Sequence, residues 1–228
     1  MKYNLHLLVI NFNYSKFLIE NKNHFTSILS HIKSFTIIDD QSTDDITRLK
    51  QIYSKNLIVT EGCKSTNNYL NQLNAINYGI KHLGEIKNED YLWVVDADDI
   101  PVLPKNLSYN LNQNFDIIFF GRKERDEIIF PKISHGFWVK NCFTSSIIFK
   151  HKLFIEKRKL IYSPDFHDIW FDVRLCSLIF LNCIKFKICY EVNNERIIHG
   201  MNDSLRIKRY SFKRIIKILN TLSFSKKL

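Results

Sequence analysis

The chain has 228 residues, of which 45% are hydrophobic and 25% charged, and this ordinary globular composition excludes a disordered, collagen-like or linker-dominated protein. The net charge is +10, but residues 205–228 contain eight basic side chains and no acidic one, so the rest of the chain is nearly neutral. This distribution argues against a nucleic-acid-binding body and predicts a basic tail on a neutral domain. Five cysteines without a Cys-x-x-Cys pair favour a reducing compartment over a disulfide framework or a zinc site.

Strands and helices are predicted to alternate through the first part of the chain. Apolar runs predict strands at 5–10, 35–38, 56–60 and 91–95. Helices are predicted at 15–29, after the capping residues 42–45, and at 69–83, where apolar residues fall on one face. Alternation of this kind is typical of a parallel α/β sheet with crossover helices. In such sheets, ligands bind beyond the carboxyl ends of the strands.

The second half is less regular. Strands are predicted at 115–120, 128–130, 146–150 and 187–192, and helices at 168–181 and from 204 onwards. The longest apolar stretch, 175–184, is far shorter than the roughly 20 residues of a membrane span. The expected location is therefore the cytoplasm, and the alternative is peripheral attachment to the inner face of the cytoplasmic membrane.

An acidic cluster follows the predicted strand at 91–95. Asp96, Asp98 and Asp99 place three carboxylates within four residues, and like charges this close raise one another's pKa. A bound Mg²⁺ or Mn²⁺ would remove that cost, and hard oxygen ligands suit these cations together with a phosphate-bearing substrate. The alternative is a solvated acidic turn that caps the next helix.

A second acidic pair, Asp39 and Asp40, ends the strand at 35–38. A carboxylate here could accept a hydrogen bond from the N–H of a nucleobase. The alternative is helix capping, for which Ser42 and Asp44 are the better candidates.

Taken in order, these motifs resemble those of the family 2 glycosyltransferases, which have the GT-A fold. The motifs are Val9-Ile10-Asn11-Phe12-Asn13-Tyr14, Ile37-Ile38-Asp39-Asp40-Gln41-Ser42-Thr43-Asp44, Ala75-Ile76-Asn77-Tyr78-Gly79 and Asp96-Ala97-Asp98-Asp99. The resemblance implies an α/β domain with a mixed, mainly parallel sheet flanked by helices over 1–204, followed by the tail at 205–228. Within it, 1–103 would be the nucleotide-binding half and 104–204 the acceptor-binding half.

The resemblance also implies a site for a nucleotide-sugar donor. Asp40 would bind the uracil imide, Asp96 the ribose or metal-bound waters, and Asp98 a Mn²⁺ or Mg²⁺ ion. Ile76 stands where the family has arginine, and Asn11 and Asn13 replace its usual threonine and tyrosine. The implied donor-binding residues are Asn11, Asn13, Asp40, Asn77, Asp96 and Asp99, and the implied metal ligands are Asp98 and His199.

The family places a catalytic base at the start of a helix in its second half, and the segment at 164–170 matches that context. Asp168 is the predicted base, which would take the proton from the acceptor hydroxyl as its oxygen attacks C1 of the donor sugar. This single displacement inverts the anomeric centre. Asp165 and Asp172 are the rival bases, and a helix-capping role for Asp165 or Asp168 is the alternative.

The predicted function is therefore sugar transfer from a nucleotide-diphosphate donor, with UDP favoured, to a saccharide or lipid-linked saccharide acceptor. The resemblance and the basic tail suggest bacterial surface glycans such as lipooligosaccharide, capsule or O-antigen. The tail would dock on an anionic membrane or pack on the domain. One alternative is a nucleotidyltransferase, against which 11–15 lacks a glycine-rich basic loop. Another is a non-catalytic membrane- or polyanion-binding module with a degenerate transferase domain. No nucleic-acid partner is expected.

Overall fold

The computed structural model describes residues 2–60, 68–134, 138–156, 171–180 and 184–197. Its strands are β1 (Tyr3–Asn11), β2 (Ile32–Asp39), β3 (Leu57–Val59), β4 (Tyr91–Asp96), β5 (Asp99–Pro101), β6 (Ile117–Glu124), β7 (Glu127–Ile129), β8 (Lys132–Ser134), β9 (Trp138–Lys140), β10 (Ile147–Lys150) and β11 (Phe186–Arg196). Its helices are α1 (Ser15–Glu20), α2 (Lys22–Ile28), α3 (Ile46–Tyr53), α4 (Asn68–His82), α5 (Leu107–Asn112), α6 (His151–Glu156) and α7 (Phe171–Phe180), and a short 3₁₀ helix spans Thr144–Ser146.

A mixed sheet of nine strands runs through the middle of the molecule in the order β3-β2-β1-β4-β10-β6-β11-β5, with β7 beside β6. Strands β1, β2, β3 and β4 are parallel to one another. β10 is antiparallel to both β4 and β6, and β11 returns parallel to β6. Most strands therefore point the same way, and the predicted mainly parallel sheet is confirmed.

Helices cover both faces of this sheet. Side chains alternate along each strand, so Leu7 and Val9 of β1 face one layer while Leu8 and Ile10 face the other. The first layer contains α1, α2, α3 and α5, and the second contains α4, α6 and α7. Burial on both faces explains why the central strands read as continuous apolar runs instead of alternating patterns.

Several elements differ from the sequence-based expectation, and two of them have a clear physical reason. The helix predicted over 15–29 is interrupted at Asn21, whose side-chain Nδ2 donates to the carbonyl oxygen of Phe17 at 2.9 Å. Asparagine competes for backbone hydrogen bonds in this way and so ends α1 early. Strand β5 was not predicted, because Asp99 is polar and the strand forms through pairing with β11, a distant part of the chain.

Helix α4 lies very close to the sheet at Gly79. A Cβ atom at that position would come within 1.8 Å of Ile38 Cδ1. The missing side chain therefore sets how closely α4 approaches β1 and β2, and this is a physical reason for the glycine of the motif at 75–79.

No helix within the described ranges is both long and apolar enough to cross a membrane. The predicted helix of the basic tail, 205–228, lies outside those ranges, as does the start of the helix predicted at 168.

Candidate active site

The parallel register brings the polar strand ends to one edge of the sheet. Asn11 of β1 is paired with Asp39 of β2, and the preceding residue, Ile10, is paired with Asp96 of β4. The three predicted polar clusters therefore lie side by side at the carboxyl edge, where doubly wound sheets bind their ligands.

Asp96, Asp98 and Asp99 form an acidic triad. One carboxylate oxygen from each can be chosen so that all three lie within 4.8 Å of one another. The backbone N–H of Asp96 donates to Ser145 Oγ at 3.0 Å, and its carboxylate accepts from Gln72 Nε2 of α4 at 3.1 Å. Asp96, at the end of β4, is thus held in place by α4 and by the 3₁₀ helix.

Two arginines from neighbouring strands neutralise part of the triad. Arg122 of β6 donates from Nη2 to Asp99 Oδ1 at 2.7 Å, and both side chains are buried. Arg196, the last residue of β11, places Nη2 3.3 Å from Asp98 Oδ2. Buried charges need such partners, because an isolated carboxylate is costly to remove from water.

The arginines do not fully offset the effect of burial on the pKa values of these carboxylates. Burial, reinforced by the charge of Asp96, raises the pKa of Asp98 to about 6 despite Arg196. Burial also raises the pKa of Asp99 to about 8, against the opposing effect of Arg122. The triad therefore favours an additional cation or proton, as three adjacent carboxylates should.

A layer of buried amide and hydroxyl groups supports the triad. Asn194 of β11 donates from Nδ2 to the Ser145 carbonyl at 2.9 Å and to Ser146 Oγ at 2.8 Å. Trp93 Nε1 donates to the same Ser145 carbonyl at 2.8 Å. These bonds fix the 3₁₀ helix, and with it the hydroxyl group that binds Asp96.

Some buried polar atoms around the triad have no hydrogen-bond partner among the described residues. They are Gln72 Oε1, Asp99 Oδ2, Arg122 Nε, Asn193 Nδ2 and Asn194 Oδ1. Such atoms are rare in native proteins and commonly mark where a ligand, an ion or a water molecule binds.

The turn after β1 is tied to the turn after β2. Asn11 is fully buried, and its Nδ2 donates to Asp39 Oδ1 at 2.8 Å while its Oδ1 accepts from the Tyr14 N–H at 3.1 Å. Asn13 has a φ of 63°, and its Oδ1 accepts from the Thr43 N–H at 2.7 Å. Asn11 and Asn13, two of the three predicted donor-binding asparagines, thus hold the two turns together.

Asp40 lies half-buried at the carboxyl end of β2. Its backbone N–H donates to the Asn11 carbonyl at 2.8 Å, and its Oδ1 accepts from Thr60 Oγ1 at 3.3 Å. Asp40 therefore flanks the turn after β1, on the side of the edge away from β4.

The cap of α3 lies within the predicted capping residues 42–45, but it is neither Ser42 nor Asp44, the two candidates that were favoured. The cap is Asp45, whose side chain accepts from the Arg48 N–H at 3.1 Å. Asp44 instead accepts from both the N–H and the hydroxyl of Ser15, each at 2.7 Å. These bonds connect α1 to the turn after β2, a long-range role that local sequence does not reveal.

The remaining predicted residues divide into two groups. Asn77 is half-buried on α4, and Asp172 is buried in the first turn of α7. Asp165, Asp168 and His199 lie outside the described residues.

Sequence reasoning missed several side chains of this site. Gln72, Arg122, Asn194 and Arg196 all contact the triad or its supporting layer. A signal existed for Arg122, because it directly follows a fully apolar strand segment that should be buried. Nothing local indicates which carboxylate it would pair with.

Comparison with known proteins identifies the fold. The chain matches no family model, and no curated protein matches its sequence. The solved structure of S. aureus TarS 1-349 in complex with UDP-GlcNAc superposes with a TM-score of 0.56 at 16% identity, covering 90% of this chain and 61% of that one. The mannosyltransferase PcManGT from Pyrobaculum calidifontis, in complex with GDP-Man and Mn²⁺, gives a TM-score of 0.56 at 13% identity, with 92% and 61% covered.

A third similar structure is of a different kind. A 4-diphosphocytidyl-2C-methyl-D-erythritol synthase gives a TM-score of 0.52 at 11% identity, covering 90% of this chain and 97% of that one. The chain thus spans about three fifths of the two glycosyltransferase structures but nearly all of the synthase. Together with the sheet order, these likenesses show that the chain has the GT-A fold.

Proposed function

We propose that this protein transfers a sugar from a nucleotide-diphosphate donor to a saccharide acceptor. The observation that carries the proposal is the acidic triad at the carboxyl edge of a GT-A sheet, between the turns of β1 and β2 and the end of β11. Such an edge positions a ligand against several strand ends at once. The motifs at 9–14, 37–44, 75–79 and 96–99 are consistent with family 2.

The triad fits a divalent cation. Three carboxylates can converge within 4.8 Å, Asp99 Oδ2 is buried without a hydrogen-bond partner, and all the donors are hard oxygens, which suit Mn²⁺ or Mg²⁺. Asp98 is the proposed main ligand, with His199 as the second. When bound, such a cation would stabilise the negative charge of the departing diphosphate.

The protein's own groups would bind and orient the donor. Asp40 is proposed to accept a hydrogen bond from the base, and Asp96 to contact the ribose or the waters of the cation. The turns containing Asn11 and Asn13 would form the wall of the base pocket, and Asn77 would approach from α4. UDP is the favoured nucleotide because the Asp40 motif matches the family's uracil-binding position.

The transfer step would require a base beside the acceptor hydroxyl. Asp168 is proposed to take the proton from the acceptor hydroxyl as its oxygen attacks C1 of the sugar, so that the configuration inverts. Asp165 and Asp172 remain the rivals for this role. The proposed acceptor is a saccharide, free or lipid-linked, in surface-glycan synthesis, with the basic tail at 205–228 drawn to anionic lipid.

Nucleotidyl transfer is the second candidate. The observation favouring it is the match in size, since the chain covers 97% of the synthase structure. Against it, the turn between β1 and α1 consists of Phe12, Asn13 and Tyr14. This turn has neither a glycine nor a basic residue that could bind a triphosphate.

The test is thermal unfolding with UDP, GDP and CDP, each with Mn²⁺ or with EDTA. A ligand that binds only the folded state raises the melting temperature. We expect UDP to do so in a Mn²⁺-dependent way in the wild type, and we expect the shift to disappear in Asp98→Asn. Each shift is measured against the same variant without nucleotide, because removing a buried charge changes the baseline stability.

Other outcomes would correct the proposal in defined ways. A Mn²⁺-dependent shift with GDP or CDP alone would change the donor and keep the mechanism. Pyrophosphate release from CTP or UTP would favour nucleotidyl transfer. If no nucleotide shifts the wild type, the transferase proposal fails.

A further inference from the structure

Two cysteines from distant parts of the chain touch inside the core. The Sγ atoms of Cys142, just after β9, and Cys176, on α7, lie 3.0 Å apart. Both side chains are buried, in the apolar cluster that also contains Phe149, Phe171 and Leu175. Helix α7 packs against β9, so both cysteines belong to packed elements.

The local hydrogen bonds orient the two thiols. Cys142 Sγ lies 3.4 Å from the Val139 carbonyl and can donate its proton there. The Cys176 thiol then has the Cys142 sulfur as its acceptor. Among the other cysteines, Cys189 lies on β11 in the core cluster of the opposite sheet face.

We propose that Cys142 and Cys176 are the site of a reversible intramolecular disulfide. The proposal rests on the facing sulfur atoms and does not depend on the proposed function. Disulfides that form in a reducing compartment are usually transient and redox-responsive, so a peroxide or a low-molecular-weight disulfide is the required oxidant.

With hydrogen peroxide the reaction balances in two steps. The Cys142 thiolate attacks one peroxide oxygen and breaks the O–O bond, which gives a sulfenic acid and a hydroxide, and the hydroxide takes up the proton that the thiol had lost and becomes water. The Cys176 sulfur then attacks the Cys142 sulfur, forms the S–S bond and releases the hydroxyl group, which leaves as a second water with the Cys176 proton. Two thiols are oxidised and one peroxide is reduced.

The two sulfur atoms can act in either order, and the reaction balances in the same way. Burial raises the pKa of the Cys176 thiol well above its ordinary value, so the reactive thiolate forms during local opening of the core. Hydrogen peroxide is small enough to reach a buried pair during local opening, which a bulkier oxidant does less readily.

The cross-link would close a covalent loop between residues 142 and 176. The residues between the two cysteines include the 3₁₀ helix Thr144–Ser146, whose Ser145 binds Asp96. They also include the range 157–170. Closing the loop restricts the unfolded chain and should stabilise the folded protein.

The experiment exposes the folded full-length protein to hydrogen peroxide, denatures it, alkylates the remaining thiols and maps the peptides by mass spectrometry. We expect a linked peptide pair containing Cys142 and Cys176, lighter by two hydrogens than the two reduced peptides, and its loss on treatment with dithiothreitol. A parallel sample refolds in a glutathione redox buffer, which gives the thiols access before the core closes. The melting temperature should rise on oxidation.

Three variants serve as matched controls. Cys142→Ser and Cys176→Ser should each abolish the linked peptide and the rise in melting temperature, whereas Cys189→Ser should retain both. The proposal is overturned if both thiols remain alkylatable in the peroxide and the refolding samples. It is equally overturned if the cross-link joins Cys63, Cys183 or Cys189 instead.

Discussion

At the scale of single residues, the site combines carboxylates with arginines, and the sequence around each residue does not show which of them pair. Three adjacent carboxylates are stabilised by Arg122 and Arg196, which reach them from β6 and β11. The sequence reveals the carboxylates because three of them fall within four residues and follow an apolar strand. It does not reveal the arginines' partners, because pairing depends on strand order and on which side chains are buried together.

A second buried charge network lies at the opposite edge of the sheet. His6 of β1 is buried, with Nδ1 2.6 Å from Ser34 Oγ and Nε2 3.2 Å from Asp90 Oδ2. Burial lowers the pKa of His6 from its ordinary value of 6.5, even though Asp90 opposes the effect. The folded protein therefore binds a proton at His6 less readily than the unfolded chain does.

This difference predicts an acid-dependent loss of stability. As the pH falls below about 6.5, the unfolded chain takes up a proton that folded His6 resists, so the free energy of unfolding decreases. His6→Gln removes this contribution. Urea unfolding at pH about 7.5 and about 5.5 should show a larger loss in the wild type than in the variant.

The control is His31→Gln, because His31 is exposed. That variant should follow the wild type. An equal or larger acid-dependent loss in His6→Gln would show that the buried histidine is not the cause.

At the scale of elements, the close approach of α4 positions one wall of the site. Gln72 of α4 reaches Asp96, and seven residues further along the same helix Gly79 touches the sheet at Ile38 and Leu8. In a helix, glycine is ordinarily less stable than alanine by about 0.5–1 kcal/mol. The contact with the sheet is therefore the reason for a glycine at this position.

The contact predicts that Gly79→Ala destabilises the protein. The new Cβ would lie 1.8 Å from Ile38 Cδ1 and 2.6 Å from Cγ1, so the helix or the isoleucine must move. Overpacking of this kind costs about 1–3 kcal/mol, more than the gain in helix propensity. Urea unfolding measures the change.

A double variant tests the cause. Ile38→Val removes the Cδ1 atom, so Gly79→Ala should cost less in that background than in the wild type, which a double-mutant cycle detects. If the two substitutions are additive, or if Gly79→Ala stabilises the protein, the close-packing explanation is wrong.

The elements also show where sequence reasoning succeeds. Strands β1, β2 and β4 and helix α4 were predicted to within three residues at each end, because long apolar runs and one-sided apolar faces identify buried elements directly. Strands β5, β8 and β9 and the short helices α5 and α6 were missed. The three missed strands have three residues each and form through pairing with another strand, β5 with β11 and β8 with β9.

At the scale of the whole molecule, the fold explains why dispersed motifs form one site. Parallel strands end at the same edge, so Asn11, Asp39 and Asp96 become neighbours although they are far apart in the sequence. The fold and the location of the site were therefore predictable from sequence order. The supporting layer around Ser145 and Asn194 was not, because it joins the 3₁₀ helix before β10 to β11, and these come together only through the long-range pairings of the second half.

The central claim is that the acidic triad holds a divalent cation together with a nucleotide diphosphate. Its most direct test is Mn²⁺ electron paramagnetic resonance in the presence of UDP, GDP or CDP, because bound Mn²⁺ loses the sharp signal of the hydrated ion. The matched control is Glu85→Gln, which removes an exposed carboxylate before β4, at the opposite edge of the sheet from Asp98. We expect the wild type and Glu85→Gln to bind Mn²⁺ more strongly with the nucleotide than the nucleotide does alone, and Asp98→Asn to lose this excess binding. Equal binding by Asp98→Asn, or no excess in the wild type with any nucleotide, would contradict the claim.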